Sequence, residues 1–151
     1  MACFGRRRFW VVLPLLLVIG RAAGQQRSDP LTDPEVDQLR DVAQDADQRL
    51  ALYVTFARAR LATIEQARSD PKVTDKPQAI HDRLQDFVDV YDELNDNIDT
   101  FVGRKADLRK VLKTIIDADD EFQAKLRALK DSARASTEDA KQYEFVLSRC
   151  V

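Results

Sequence analysis

The chain has 151 residues, 33% of them charged, with 24 Lys and Arg against 26 Asp and Glu. Four Gly, five Pro, two Cys and one His exclude a disulfide-stapled scaffold and a Cys/His zinc cluster within one chain. The length suits a single domain, and the few turn residues beside many Ala, Leu, Asp, Lys and Arg argue against an all-β fold and against disorder.

Residues 6–8 are all Arg, and an eleven-residue apolar run from Phe9 to Ile19 leads to the small residues Ala22-Ala23-Gly24. This order predicts a secretory signal peptide over residues 1–24, cleaved before Gln25. As a helix the run would reach about 16 Å, roughly half of a hydrocarbon core. Pro14 interrupts it, so no retained membrane anchor is expected. Arg6-Arg7-Arg8-Phe9-Trp10 also fits the twin-Arg export pattern, and the choice between that route and general secretion stays open.

Without Arg6, Arg7, Arg8 and Arg21 the remaining 127 residues carry 20 bases against 26 acids, a formal −6. Such a chain lacks the cationic footprint of a nucleic-acid binder. It also has little attraction for an anionic membrane surface. Asn95 and Asn97 are the only Asn, and neither begins a glycosylation sequon. The expected location is periplasmic or secreted.

Residues 25–32 read as a flexible polar leader, and a single all-helical domain is expected over 33–151. Asp33-Pro34-Glu35 then supplies a cap, an early Pro and a first-turn acid, predicting a short helix about 34–44 with Val36, Leu39 and Ala43 on one face. The Gln44–Asp47 stretch offers a new cap. Leu50, Tyr53, Val54, Ala57, Leu61 and Ile64 recur at helical spacing after it, predicting a helix about 46–69. Pro71 and Pro77 bracket the next connection.

The strongest pattern starts at Ile80 and steps by four and three through Leu84, Phe87, Tyr91 and Leu94 to Ala133. Of its sixteen positions only Lys105 and Asp119 are not apolar. A sustained three-four spacing is the coiled-coil period. It predicts one long helix, about 78–134, with weak points at Gly103 and near Asp117. A hairpin at Gly103 is the alternative, and would give the matched helix lengths of an up-down bundle. The fold class is therefore all-α, a helical bundle or extended hairpin. Ser136-Thr137-Glu138 resembles a capping box and opens a last helix. That helix reaches Val151 on its apolar face without a cap, which leaves truncation and simple fraying both open.

The chemistry-bearing residues are few. His81 is the sole imidazole. His81, Asp82, Asp86 and Asp89 could be read as a metal set, but these acids read better as a solvated face opposite the apolar stripe. There is no Glu-x-x-His pair for a di-iron bundle site. Asp117-Ala118-Asp119-Asp120-Glu121 lacks the Gly and Glu that a calcium loop needs at its sixth and twelfth positions, where Phe122 and Ala128 stand. Neither a phosphate-binding Gly loop nor an oriented nucleophile appears. The sequence thus offers no catalytic, metal or cofactor-binding residues, and the expectation is a non-catalytic protein without a cofactor.

Charge is segregated: residues 82–99 hold seven acids and only Arg83 as a base, a sum of −6, whereas residues 103–115 sum to +4. The two segments can pair across a hairpin or between antiparallel chains. A long helix of roughly 85 Å would outrun the helix at 46–69, which reaches roughly 36 Å. Leu108, Leu112, Ile115 and Phe122 would then stay partly exposed, which predicts self-association as an antiparallel dimer.

Leu31-Thr32-Asp33-Pro34-Glu35, followed by Gln38-Leu39-Arg40, resembles the Leu-Thr-x-x-Gln motif of the small helical periplasmic chaperones related to Spy and CpxP. Glu35 stands at the position of the motif's Gln. The resemblance implies a chaperone or stress sensor that holds apolar segments of client proteins. The residues themselves point to an exported protein that mediates protein–protein interaction or envelope scaffolding.

Overall fold

The computed structural model describes residues 30–134 together with Val146 and Ser148. The expected signal peptide, most of the leader and most of the expected last helix lie outside the described residues. Within them the chain forms four helices and no strand: α1 (Asp33–Asp41), α2 (Ala46–Ser69), α3 (Lys76–Gly103) and α4 (Arg109–Arg134). The all-α bundle read from the sequence is the fold observed.

Each helix start follows from a local side-chain acceptor. Thr32 caps α1, and the Glu35 carboxylate accepts both the Thr32 backbone N–H at 2.8 Å and its hydroxyl at 2.9 Å. Asp45 caps α2 by accepting the Gln48 N–H at 2.9 Å, and Asp75 does the same for Gln78 at 3.1 Å at the head of α3. Pro71 follows the end of α2, and Pro77 sits in the first turn of α3.

α2 is the central helix. Its buried residues Leu50, Tyr53, Phe56, Leu61 and Ile64 pack against α3 and α4, while α1 lies across it. Two arginines of α2 strap α1 in place. Arg60 makes a forked pair with Glu35 at 2.9 and 2.7 Å and also donates to the Pro30 carbonyl. Arg49 donates to the Leu39 carbonyl at 2.7 Å and to Asn97 of α3 at 2.8 Å, with its guanidinium 5.7 Å from the Tyr53 ring centre. Pro30 and Leu31, expected in a flexible leader, are thus tied to the folded domain, Leu31 packing against the core.

The long helix expected over 78–134 is interrupted. α3 ends at Gly103, residues 104–108 turn the chain, and α4 folds back against α2. The end of α3 is a Schellman motif. Lys105 N–H bonds to the Val102 carbonyl at 2.9 Å, and Ala106 N–H bonds to the Phe101 carbonyl at 3.0 Å. The residue with left-handed backbone is Lys105, at φ 58°, not Gly103. Gly103 is helical, and a Cβ there would meet nothing within 4 Å. The second expected weak point, Asp117, lies inside the continuous α4.

Leu108 and Phe122, expected to be partly exposed on an overlong helix, are buried because α4 packs back on the bundle. Leu112 remains 40% exposed, and Ile115 is half-buried. No helix among the described residues is long and apolar enough to cross a membrane.

Candidate functional site

α3 and α4 stand apart. None of their Cα atoms approach within 8 Å, and aromatic rings bridge the gap. Phe87 and Phe122 meet edge to face at 5.4 Å between centroids, and Tyr91 stacks on Phe87 at 5.7 Å. Such geometries place ring edges against ring faces and stabilise the contact beyond its buried area. The Tyr91 hydroxyl donates to Asp119 of α4 at 2.7 Å. Between these groups lies a crevice of about 60 Å³, lined also by Val88, Asp92, Gln123 and Leu126. That space suits a few water molecules rather than a metabolite.

Leu112 and Ile116 stand seven residues before Asp119 and Gln123, so they share the face of α4 that lines the crevice. Val102 stands eleven residues after Tyr91, three helical turns along the facing side of α3. Exposures of 58% for Val102, 40% for Leu112 and 59% for Ile116 make these the exposed large apolar side chains among the described residues. All three lie outside the residues that line the crevice.

Exposed charges of opposite sign stand on the last turns of α3 and at the 104–108 turn. Asp96 and Asp99 on α3 are exposed and have no ion-pair partner among the described residues. Arg104, Lys105 and Lys110, at the turn and the start of α4, are exposed and likewise unpaired. Arg109 grips Asp107 through two hydrogen bonds of 2.9 and 2.6 Å. The Arg109 side chain, then its backbone N–H, hold the Asp107 carboxyl well below the usual range, at about 2. Lys113 pairs with Asp117 one turn on, at 2.7 Å. The expected pairing of the acidic segment with the basic one across the hairpin is not formed among the described residues.

The structure disperses the other candidates. His81 is half-buried, with Nδ1 3.4 Å from Asp82. Asp82 accepts from Gln78, Asp86 pairs with Arg83, and Asp89 accepts from Gln85, each on its own helix. The Asp117–Glu121 run is helical, with Ala118 buried. Its Asp119 serves Tyr91, and its Glu121 joins Arg58 of α2 at 2.8 Å and Lys125 at 2.8 Å. Hydrogen bonds from Lys125, then Arg58, lower the Glu121 pKa.

Asp45, Asp47 and Asp107 line an open cleft between the α1–α2 and α3–α4 turns, and one Asp47 carboxylate oxygen is buried there without a partner. Asp45 and Asp107 are committed to the N-termini of α2 and α4, and no group of three metal-binding side chains exists among the described residues.

Sequence reasoning missed the Glu35–Arg60 pair, which joins residues 25 positions apart, and the aromatic crevice between α3 and α4. Asp119 stands in the sequence as a polar intruder in the apolar stripe, and it accepts the Tyr91 hydroxyl across the gap between α3 and α4. No family model, curated protein or solved structure matches this chain.

Proposed function

We propose that the chain is an exported, non-catalytic helical protein that acts by binding another protein through the apolar side chains that flank the 104–108 turn. One observation carries this reading: Val102, just before that turn, and Leu112 and Ile116, in the first turns of α4, are exposed, while the other large apolar side chains described are buried or half-buried. Contiguous apolar surface rimmed by polar groups marks interaction sites more often than it marks idle surface. Export rests on Arg6-Arg7-Arg8, the apolar run and Ala22-Ala23-Gly24, and places the protein in the periplasm or outside the cell.

A photo-reactive residue at position 116, used in producing cells, tests the surface. We expect a protein adduct from position 116 and none from the exposed position 82 at the far end of α3. Equal labelling from both positions, or none from 116, would overturn the reading. The same exposed side chains would suit apolar segments of unfolded clients, the activity implied by the chaperone resemblance. Suppression of client aggregation at near-stoichiometric ratios, lost in Ile116→Asp, would assign that activity instead of scaffolding.

A further inference from the structure

Val146 is 2% exposed and belongs to the same buried cluster as Leu84, Leu126 and Leu129. It lies twelve residues beyond Arg134, where α4 ends. The end of α2 and the head of α3 stand at that level too. Arg68, one residue before the end of α2, bonds to Ser132 at 3.1 Å, and Lys76 at the head of α3 bonds to the Arg68 carbonyl at 2.9 Å. A helix continuing straight from Arg134 would carry Val146 about 18 Å past all three, where no described residue could bury it. The chain therefore turns back onto the bundle before Val146.

α2 packs directly on both α3 and α4, whereas α3 and α4 are bridged by side chains alone and leave a gap. We propose that residues 146–151 occupy this gap, with Val146 seated between α3 and α4 above the aromatic crevice and Arg149 at the mouth of the crevice, paired with Asp92. The exposed side chains beside the 104–108 turn, toward the other end of the bundle, stay free for a partner protein.

The heights agree. Three residues of turn and nine of helical descent bring Val146 about 14 Å down from the end of α4, level with Leu126 at about 12 Å. Residues 149–151 then stand about 18–21 Å down, level with Phe122 and, across the gap, with Phe87, about 16 Å from the head of α3. Val146 and Ser148 are themselves helical. Val146 is not among the residues that line the crevice, as a seat above it requires.

The charges agree as well. The crevice wall carries Asp92 and Asp119, and Asp119 already accepts the Tyr91 hydroxyl. Arg149 is the sole cation of residues 146–151, three positions after Val146 and thus on the same side of a helix. Tyr91, Asp92 and Gln123 on the wall each hold a contact beyond the pairs named above, and so do Val146 and Ser148.

Cys150 makes the placement measurable, because it is the sole thiol once the leader with Cys3 is removed. A disulfide forms without backbone movement only where two Cα atoms lie within about 7 Å. In the chain freed of its leader, Asp92→Cys and Gln123→Cys put a second thiol on the two walls of the crevice, and Ala59→Cys puts one at an exposed position of α2. Under mild oxidation we expect at least one wall position to bond to Cys150 within monomers at least tenfold faster than Ala59→Cys, with helix content unchanged. Val146→Asp should abolish that preference. In the Gln123→Cys chain, Arg149→Glu should slow the bond several-fold at low salt, and adding Asp92→Arg should restore it.

Equal rates at the three positions, or no bond from either wall, overturn the proposal. Retention of the preference in Val146→Asp also overturns it, because Val146 would then be buried elsewhere. No change with Arg149→Glu, or no rescue by Asp92→Arg, overturns the pairing of Arg149 with Asp92.

Discussion

Lys105 adopts a left-handed backbone at φ 58° one position after the cap of α3. A side chain there costs roughly 1 kcal/mol relative to Gly, because its Cβ crowds the following carbonyl. Lys105→Gly is therefore expected to raise stability by about 1 kcal/mol in urea titration. Gly103 is an ordinary helical residue with open space around its absent Cβ. Gly103→Ala is expected to stabilise by about 0.5–1 kcal/mol. A loss of stability from Gly103→Ala would show that Gly103, and not Lys105, is the turn residue.

Glu35 belongs to the same scale. Burial pushes its carboxyl up, but hydrogen bonds from Arg60 and from the Thr32 backbone and hydroxyl together outweigh that effect and leave its pKa below the ordinary 4.5. A pKa lower in the folded chain than in the unfolded one means that the unfolded chain takes up protons first on acidification. The contribution of the pair is complete above about pH 4.5 and fades as the pH falls through the lowered folded value. Glu35→Gln should therefore reduce stability at pH 7 more than at pH 3. An equal loss at both values would mean that the carboxylate charge contributes nothing.

At the scale of elements, the α3–α4 contact rests on aromatic rings. Phe122 is 2% exposed and touches both Phe87 and Tyr91. Phe122→Ala removes the ring that spans two separated helices and should cost about 3–5 kcal/mol. Ile116→Ala, two turns earlier and 59% exposed, should stay within about 0.5 kcal/mol. Similar losses from the two changes would place Ile116 under cover. The α1–α2 contact rests instead on Arg49 and Arg60, which reach the two ends of a nine-residue helix too short to stand alone.

For the whole molecule, the net charge and the apolar leader belong together: cleavage after Gly24, as proposed, would remove the four basic residues of the first 24 positions and leave a chain of formal charge −6. Intact-mass measurement on exported protein is expected to show a chain beginning at Gln25. A mass that retains residues 1–24 would refute cleavage after Gly24.

Residue spacing alone specified α1, α2 and the start of α3, because amphipathic period and capping are local properties. The bounds of α2 at 46 and 69 follow from Asp45 and Asp70-Pro71 without reference to any other element. The class of the fold was legible for the same reason. The turn at 104–108 was not. The apolar phase runs from Phe101 to Leu108 unbroken, since residues on both sides of the turn face one core, and a seven-residue step looks the same whether the chain continues or reverses. Only the return of α4 onto α2 distinguishes the two, by burying Leu108, Val111 and Phe122. Asp107, which accepts the Arg109 N–H, was legible as a cap only once a five-residue turn was allowed after Gly103. The exposure of Leu112 and Ile116 is likewise a tertiary fact. They carry the same local signature as Leu108 and Val111, and only the side of α4 that packs onto α2 decides which of the four are buried, to which no short stretch of sequence refers.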